Sequence, residues 1–599
     1  MEVGQQTEFR LDILRSLDYD VGMKGFFNRL LRIDLSKKKT AIEPVPESIL
    51  QTYLGGKGLG SFLLLRENPS RIDPFSPQNR LIFTLGPLAD TPFYGSSRYA
   101  VFTKSPQTGI YSESYSGGKA TLSFSRAGYD AVIIEGKARD PLFLEISDEG
   151  VAFHPCQDLW GKETYEAEEA MLRKIGRKEA GALTIGPAGE NLVKFAVIES
   201  ERWRSLGRAG IGAVMGSKRL KGIAFHGKKR RDLADRPALK RLAQEFKERV
   251  QRNPIVPMYK KYGTPMLVSI MNTIGAFPTQ YWSRGTLEGW EGISAESLLE
   301  RCKVDSLACP YCFMACGKVS EVKEGRHQGL RIMGPEYETI YAFGGLCMVD
   351  SIEEIIYLND LCDRLGMDTI TAGNMVAFAI EASKKRRIEE KIEYGDVDGI
   401  HEVLKKIAFQ EGIGRILSQG VRHAAAVWGM KEQAIHVKGL EPAGFDPRVL
   451  KGMGLAYATS DRGACHLRAT FYKSELSGQI DPSRIKGKAK LFVDYEDKMT
   501  LFDVLILCRF YRDLITWKDL QDIVKFSCGL SLRKKDLRAM ASSIIALARS
   551  FNQQEGMTKK EDKLPRRFFR EVLPGTGKTI QSKDLEIMLK EYYQLRGWG

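Results

Sequence analysis

The sequence predicts an α+β fold, a β-rich first domain followed by two mostly α-helical domains. Three observations carry this. Up to about residue 228 the chain is dense in glycine and in short β-branched or aromatic runs. The charged, proline-containing stretch KKRRDLADRP (228–237) ends that texture. Beyond it, apolar residues recur at helical spacing. At 599 residues the chain is long enough for several domains, each with its own core.

RLIFTLGPL (80–88), RYAVFTKS (98–105), YDAVIIEGKA (129–138) and PLFLEIS (141–147) read as strands, bounded by Gly, Pro, Asp or Ser. PALKRLAQEFKERVQ (237–251), SIEEIIYLNDLCDRLG (351–366), TAGNMVAFAIEASKK (371–385) and KDLRAMASSIIALARSFNQQ (535–554) read as helices. The domains are then 25–230, 231–430 and 431–599, after an extension at 1–24. The boundary near 430 rests on the break at AAAVWGMKEQ.

Composition is that of a globular protein, 43% hydrophobic and 28% charged, without low-complexity blocks or internal repeats. No apolar run reaches the ~18 residues needed to span a bilayer. The first twenty residues carry acids and no apolar stretch, unlike a secretory signal. A cytoplasmic protein is expected. The net charge of +15 fits nucleic-acid binding, a docking face for an acidic protein, or a basic solvated surface. The longest basic runs, Lys37–Lys39 and KKRR (228–231), lie at turns or linkers, which argues against nucleic acid.

The ten cysteines are not spread like a disulfide framework, because three fall in CPYCFMAC (309–316). Cys309, Cys312 and Cys316 lack the second C-x-x-C knuckle or nearby His of a structural zinc site. Three close thiols with a distant fourth suit a [4Fe–4S] cluster. Spacing does not choose the fourth ligand among Cys156, Cys302, Cys347, Cys362, Cys465, Cys508 and Cys528; each is otherwise a core thiol. Cys508 lies in the apolar LFDVLILCRF.

LGGKGLG (54–60), YSESYSGGKA (111–120), IGPAGE (185–190) and GRAGIGAVMGSK (207–218) are glycine-dense, though none is a P-loop or a dinucleotide fingerprint. Each alone reads as a turn; together they suit a large phosphorylated cofactor. GPEYET (334–339) offers Glu336 and Glu338. DRGACHLR (461–468) offers His466 beside Cys465 and Arg468. A Glu and a His meeting in one pocket can do acid–base work; apart, they are surface acids and a hydrogen-bonded core histidine.

From about residue 25 to about 570 the chain resembles the tungsten-dependent aldehyde:ferredoxin oxidoreductases. The likeness rests on NRLLRIDLS, GGKGLG, GPLADTPFYGSSRYAVFTKSPQTG, AGYDAVIIEGKA, GPAGE, GRAGIGAVMGSKRLKGI, CPYCFMAC, GPEYET and KGMGLAYATSDRGACHLRA. It implies that the first domain is the base of a tungsten bis-pterin cofactor and that one [4Fe–4S] cluster lies beside a pterin. The family's fourth cluster cysteine ends a D-x-x-G-L-C segment, which implies Cys508 in DVLILC (503–508). A related pterin motif is Asp363-Arg364-Leu365-Gly366-Met367-Asp368. The implied pterin contacts are Asp363, Gly366, Asp368, Asp503 and Leu507, with Ile506 in place of a glycine. Gly117 and Gly118 would approach the cofactor, and Arg98 a phosphate. Backbone at Ala188, next to Gly189, and at Ala100 would hold a Mg2+ ion bridging the pterin phosphates. The implied active-site pair is Glu336, with Glu338 second, and His466.

The implied reaction oxidises an aldehyde to a carboxylate, with electrons leaving through the cluster to ferredoxin or a ferredoxin-like iron–sulfur subunit. The basic charge suits an acidic partner. An alternative within the fold is the catalytic subunit of an aromatic acyl-CoA reductase complex, for which Cys347 and Cys465 are extra thiols of interest. Either a homodimer or a heteromer fits. YWSRGTLEGW (281–290) is read as a channel segment or as core.

Overall fold

The computed structural model describes residues 22–598. The extension expected at 1–24 therefore lies almost wholly outside the described residues. The first region folds into two six-stranded sheets. Strands β1 (Arg29–Asp34), β2 (Lys39–Pro44), β3 (Leu81–Thr84), β4 (Arg98–Lys104), β5 (Tyr111–Gly117) and β6 (Ala131–Glu135) form the first, in the order β2-β1-β6-β3-β4-β5. Strands β7 (Leu142–Ile146), β8 (Val151–Pro155), β9 (Gly181–Thr184), β10 (Ile198–Ser200), β11 (Arg204–Leu206) and β12 (Leu220–Phe225) form the second, in the order β11-β10-β9-β12-β7-β8.

The strand period of two explains why β6 reads as an unbroken apolar run. Val132 and Ile134 point into a core shared with Leu144 of β7 and Ile223 of β12. Ala131 and Ile133 point the other way, into a core with Leu59 and Leu63 of the helix Gly56–Glu67 and Ile544 of the helix Lys534–Gln554. The first sheet is thus buried on both faces, by a second sheet and by helices, one of them from the far end of the chain.

The expected helices form, as Arg236–Val250, Ile352–Leu365, Thr369–Lys384 and Lys534–Gln554. The middle region also holds a small antiparallel sheet of β13 (Cys302–Leu307), β14 (Gly317–Val322) and β15 (Arg331–Met333), which the sequence reading did not anticipate. Leu307 pairs with Gly317, so CPYCFMAC is the loop of a β-hairpin. Tyr281 and Trp282 are fully buried in the main core, so the start of YWSRGTLEGW is packing. No helix among the described residues is long and apolar enough to cross a membrane.

Gly56 starts its helix with φ +47°, and a Cβ there would lie 2.1 Å from the carbonyl oxygen of Asp503 and 2.8 Å from that of Val504. The first domain thus touches the segment leading to Cys508 backbone to backbone. Gly161 also has positive φ but open space around it. Gly161→Ala is expected to cost only the left-handed backbone strain, about 1–2 kcal/mol. Gly56→Ala should add about 1–3 kcal/mol of overpacking. Denaturant midpoints of the two variants check this; equal losses would contradict the close approach.

Candidate active site and thiol quartet

Gly95 gathers the four thiols through its backbone. Its N–H donates to the carbonyl of Tyr311 in the hairpin loop (2.8 Å), and its own carbonyl accepts from the N–H of Cys508 (2.8 Å). The Ser97 hydroxyl donates to the carbonyl of Pro310 (2.6 Å). The Tyr511 hydroxyl accepts from the N–H of Phe313 (3.2 Å) and lies 3.3 Å from Cys312 Sγ. Cys309, Cys312, Cys316 and Cys508 are all half-buried and free. Burial pushes the first three thiols up, and the neighbouring Cys508 charge adds to that rise. Of the other seven cysteines, Cys508 is the one that meets the octet. No group of three or more His, Cys, Asp or Glu among the described residues is arranged to hold a single metal ion.

The helix Lys488–Leu505 ends at Ile506, whose φ of 62° and ψ of 40° are left-handed. Gly366 ends the helix Ile352–Leu365 in the same way, with φ 78° and ψ 51°. The two related motifs therefore share one backbone shape, in one case built with isoleucine. The turn at Ile506 delivers Cys508 to Gly95 and leaves Asp503 facing Arg468 (3.1 Å) and Arg509.

Next to the thiols lie two adjoining cavities of about 330 and 400 Å³. Both are lined by Arg98, Tyr115, Glu336, Glu338, His466 and Arg509. One also reaches Asp363, Asp368, Arg208 and Arg462. The other reaches Gly117, Arg204, Cys508 and Arg512. Arg98 spans the divide, with Nη1 4.0 Å from Cys508 Sγ and Nη2 donating to the carbonyl of Tyr115 (3.3 Å). A Cβ on Gly117 would lie 3.6 Å from Cys309 Sγ.

The guanidinium groups fit a large anionic guest. Arg208 Nη1, Arg462 Nε, Arg509 Nη1 and both Nε and Nη2 of Arg512 are buried without a protein partner. A buried N–H without an acceptor is costly even when the same guanidinium is paired through its other nitrogens. Phosphate or another multivalent anion supplies the missing acceptors through charge-assisted hydrogen bonds. Other contacts hold these arginines in place. Arg208 Nε donates to Asp368 Oδ2 (3.1 Å), and Asp368 also caps the helix Thr369–Lys384.

Glu338 and His466 meet in this cavity. Glu338 Oε2 accepts from the N–H of Gly444 (2.9 Å), and Oε1 lies 3.6 Å from His466 Nε2 without another partner. Burial pushes the Glu338 carboxyl up to about 7. Burial, then Arg208 and Arg462, holds His466 well below its ordinary value, so the ring is neutral; its Nδ1 is also unpartnered. Glu336 also lines both cavities but is engaged by other neighbours. It accepts from the Thr264 hydroxyl, and its charge is felt by Cys316 and Arg204. The sequence ranked Glu336 first; it is Glu338 whose carboxyl lies beside His466, with Tyr337 between the two glutamates and their carboxyls on different neighbours.

Several expected contacts lie off the cavity walls. Ala100 sits in mid-β4 between β3 and β5, with its side chain in the helix-facing core. Ala188 is core, and its carbonyl already accepts from Val193 (2.9 Å). Neither residue lines the two cavities. Gly189 packs against Gly216, and Gly118 against Glu201. Gly366, Asp503 and Leu507 shape the turns behind the wall, whereas Asp363 and Asp368 line it. Cys347 donates to the carbonyl of Gly373 in the core. Cys465 is buried, which opposes ionisation, but Arg462 (3.0 Å) outweighs this and lowers its pKa. The sequence reading missed Arg204, Arg208, Arg462, Arg509, Arg512 and Tyr115. Their one signal was adjacency to motifs already singled out.

Redox-capable thiols one guanidinium away from an anion-receiving cavity, itself fitted with an acid–base pair, are the parts of an oxidoreductase that houses a large anionic cofactor. Comparison with known proteins makes the class specific. The model of the aldehyde ferredoxin oxidoreductase N-terminal domain matches residues 30–227, and that of domains 2 and 3 matches residues 241–599. The tungsten-containing aldehyde ferredoxin oxidoreductase of Pyrococcus furiosus is 34% identical, covering 96% of this chain and 97% of its own. That of Thermococcus kodakarensis is 35% identical over the same shares. The active site complex BamBC of benzoyl coenzyme A reductase, solved with 1,5-dienoyl-CoA, shares the fold at TM-score 0.85 and 22% identity, over 96% of this chain and 95% of that one. The chain belongs to the aldehyde ferredoxin oxidoreductase family, a tungsten–pterin-dependent family of oxidoreductases.

The raised Glu338 pKa gives a stability signature. Between pH 4.5 and about 7 the folded protein keeps a proton that the unfolded chain has lost. Stability therefore falls as pH rises through that window. Gln mimics the protonated acid. In cofactor-free protein, Glu338→Gln should gain on wild type between pH 5 and pH 8, by up to about 3 kcal/mol. Urea unfolding at both pH values measures it, and a pH-independent difference would refute the assignment.

Proposed function

We propose that the protein oxidises aldehydes to carboxylates and passes the electrons singly, through a [4Fe–4S] cluster on Cys309, Cys312, Cys316 and Cys508, to ferredoxin or a ferredoxin-like iron–sulfur subunit. The observation that carries this reading is the Glu338–His466 pair in an arginine-lined cavity with Cys508 on its wall. The 34–35% identity to named aldehyde oxidoreductases over nearly the whole chain supports the substrate class.

When bound, a tungsten bis-pterin supplies the two-electron chemistry. Arg98, Arg208, Arg462 and Arg509 hold its anionic groups. Glu338, with a pKa near neutrality, accepts the proton of the attacking water. Neutral His466 hydrogen-bonds the carbonyl oxygen and orients it. Tyr337 and Phe445, against His466, close the apolar side of the pocket. The net charge of +15 suits an acidic electron acceptor.

The aromatic acyl-CoA reductase alternative gains nothing from its extra thiols. Cys347 is core, and Cys465 Sγ faces Arg462 and the Leu467 N–H. Anaerobic purification with metal and pterin analysis tests the proposal. About four iron, one tungsten and two pterins per chain are expected. Glu338→Gln should lower kcat for aldehyde about 10²-fold or more, with Glu336→Gln less affected. Normal turnover in Glu338→Gln, or zinc without iron or pterin, would sink the mechanism.

A further inference from the structure

Aldehyde oxidation, RCHO + H2O → RCOO⁻ + 3H⁺ + 2e⁻, gives protons that a one-electron acceptor does not take. The geometry points to a proton conduit from the cavity through Tyr115, Glu113, Lys57 and Asp461 to a water-sized chamber and the surface beside Lys559. The assignment rests on the reading of the cavity as the redox site.

Each step is short. Tyr115 lines the cavity, and its hydroxyl donates to Glu113 Oε2 (2.7 Å). Glu113 Oε1 accepts from Lys57 Nζ (3.0 Å), which also donates to Asp461 Oδ2 (3.2 Å). Asp461 lines a chamber of about 20 Å³, shared with Lys438, Arg549 and Asp562, roomy enough for a water with several polar partners. Arg549, Gln553, Met557 and Thr558 also line the next pocket outward, of about 550 Å³, whose rim includes the exposed Gln553, Thr558 and Lys559.

Lys57 and Glu113 are almost fully buried. Two buried carboxylates around one buried lysine carry a large desolvation cost. A purely structural ion pair needs neither a tyrosine on the wall of the reaction cavity at one end nor a water chamber at the other. Asn552 ties the outer end of the line to β5, donating to the Asp461 carbonyl (2.6 Å) and accepting from the Tyr111 N–H (2.9 Å). Arg468 and the Tyr111 hydroxyl (3.1 Å) also face Glu113 and hold its orientation. A proton entering at Tyr115 displaces the hydroxyl proton to Glu113. Lys57 passes one of its own protons to Asp461 and is reprotonated by Glu113. Asp461 releases its proton to the chamber.

The test uses holoenzyme reduced without aldehyde by the methyl viologen radical cation, which gives an electron and no proton, so the conduit and the aldehyde reading fail separately. A pH-indicating dye reports proton uptake, and absorbance reports electrons accepted. Wild type should take up protons as fast as electrons. Asp461→Asn, at the outer end, should slow proton uptake at least about tenfold with the electron count unchanged, and added imidazole should restore the rate. Lys57→Met should do the same; because it strands two carboxylates, its unfolding midpoint is measured too, and Asp461→Asn decides if it misfolds. Wild-type proton uptake in Asp461→Asn, slowing that imidazole does not relieve, or no proton uptake by wild type on reduction overturns the conduit.

Discussion

Ile506 holds a left-handed backbone at the end of a long buried helix, and both the thiol quartet and the cavity depend on that turn. A β-branched residue in this conformation is strained. The strain is sustained because the surroundings over-determine it. Gly86 leaves space for the Ile506 side chain, Gly56 lets the helix backbone come close, and Leu507 donates to the carbonyl of Phe502. Once the turn is fixed, Cys508 can only meet Gly95, and Asp503 can only face the arginines behind the cavity. A residue that looks like a departure from a glycine motif therefore keeps the motif's shape and adds a buried apolar anchor.

The second constraint is charge. Guanidinium N–H groups without acceptors are expensive inside a protein, and this cavity collects several of them. Their cost makes sense if the folded chain is completed by an anion. Part of the +15 charge is thus internal, not a docking surface. Burial, reinforced by the same arginines, keeps His466 neutral, and burial brings Glu338 into the neutral range, so groups suited to hold the guest also help tune the histidine.

The sequence was most legible where periodicity was strong. Strands β3, β4, β6 and β7 were readable as β-branched or aromatic runs between turn residues, and the helices at 352–365 and 534–554 from their 3.6 period, whereas β5, in a stretch read as a glycine turn, was not. The hairpin under the octet was not, because its strands are short and one is largely exposed. The octet itself was legible as chemistry, and Cys508 as one of several possible partners. The order of Glu336 and Glu338 was illegible: two carboxyls flanking one tyrosine look alike in sequence, and only the fold turns one to Thr264 and the other to His466. Buried arginines were illegible for a similar reason, since nothing local separates an arginine on a cavity wall from one in water.

Strand β5 shows how far one element can serve two charge carriers. Residues 111, 113, 115 and 117 share one face of the strand, because side chains alternate. Glu113 and Tyr115 stand in the line of proton-bearing groups, Tyr111 orients Glu113, and Gly117, two residues on from Tyr115, lies against Cys309. Electrons and protons produced at one site would then part along a single strand, electrons toward the glycine end and protons toward the tyrosine end. The glycine matters here because a side chain at 117 would fill the gap to the cysteine sulfur. The tyrosines and glutamate matter because only groups with exchangeable protons can continue the other path. The strand reads as YSESYSG, polar throughout yet almost entirely buried. Such a composition opposes the usual apolar filling of a buried strand, and it becomes intelligible when each alternate residue has a carrier to serve.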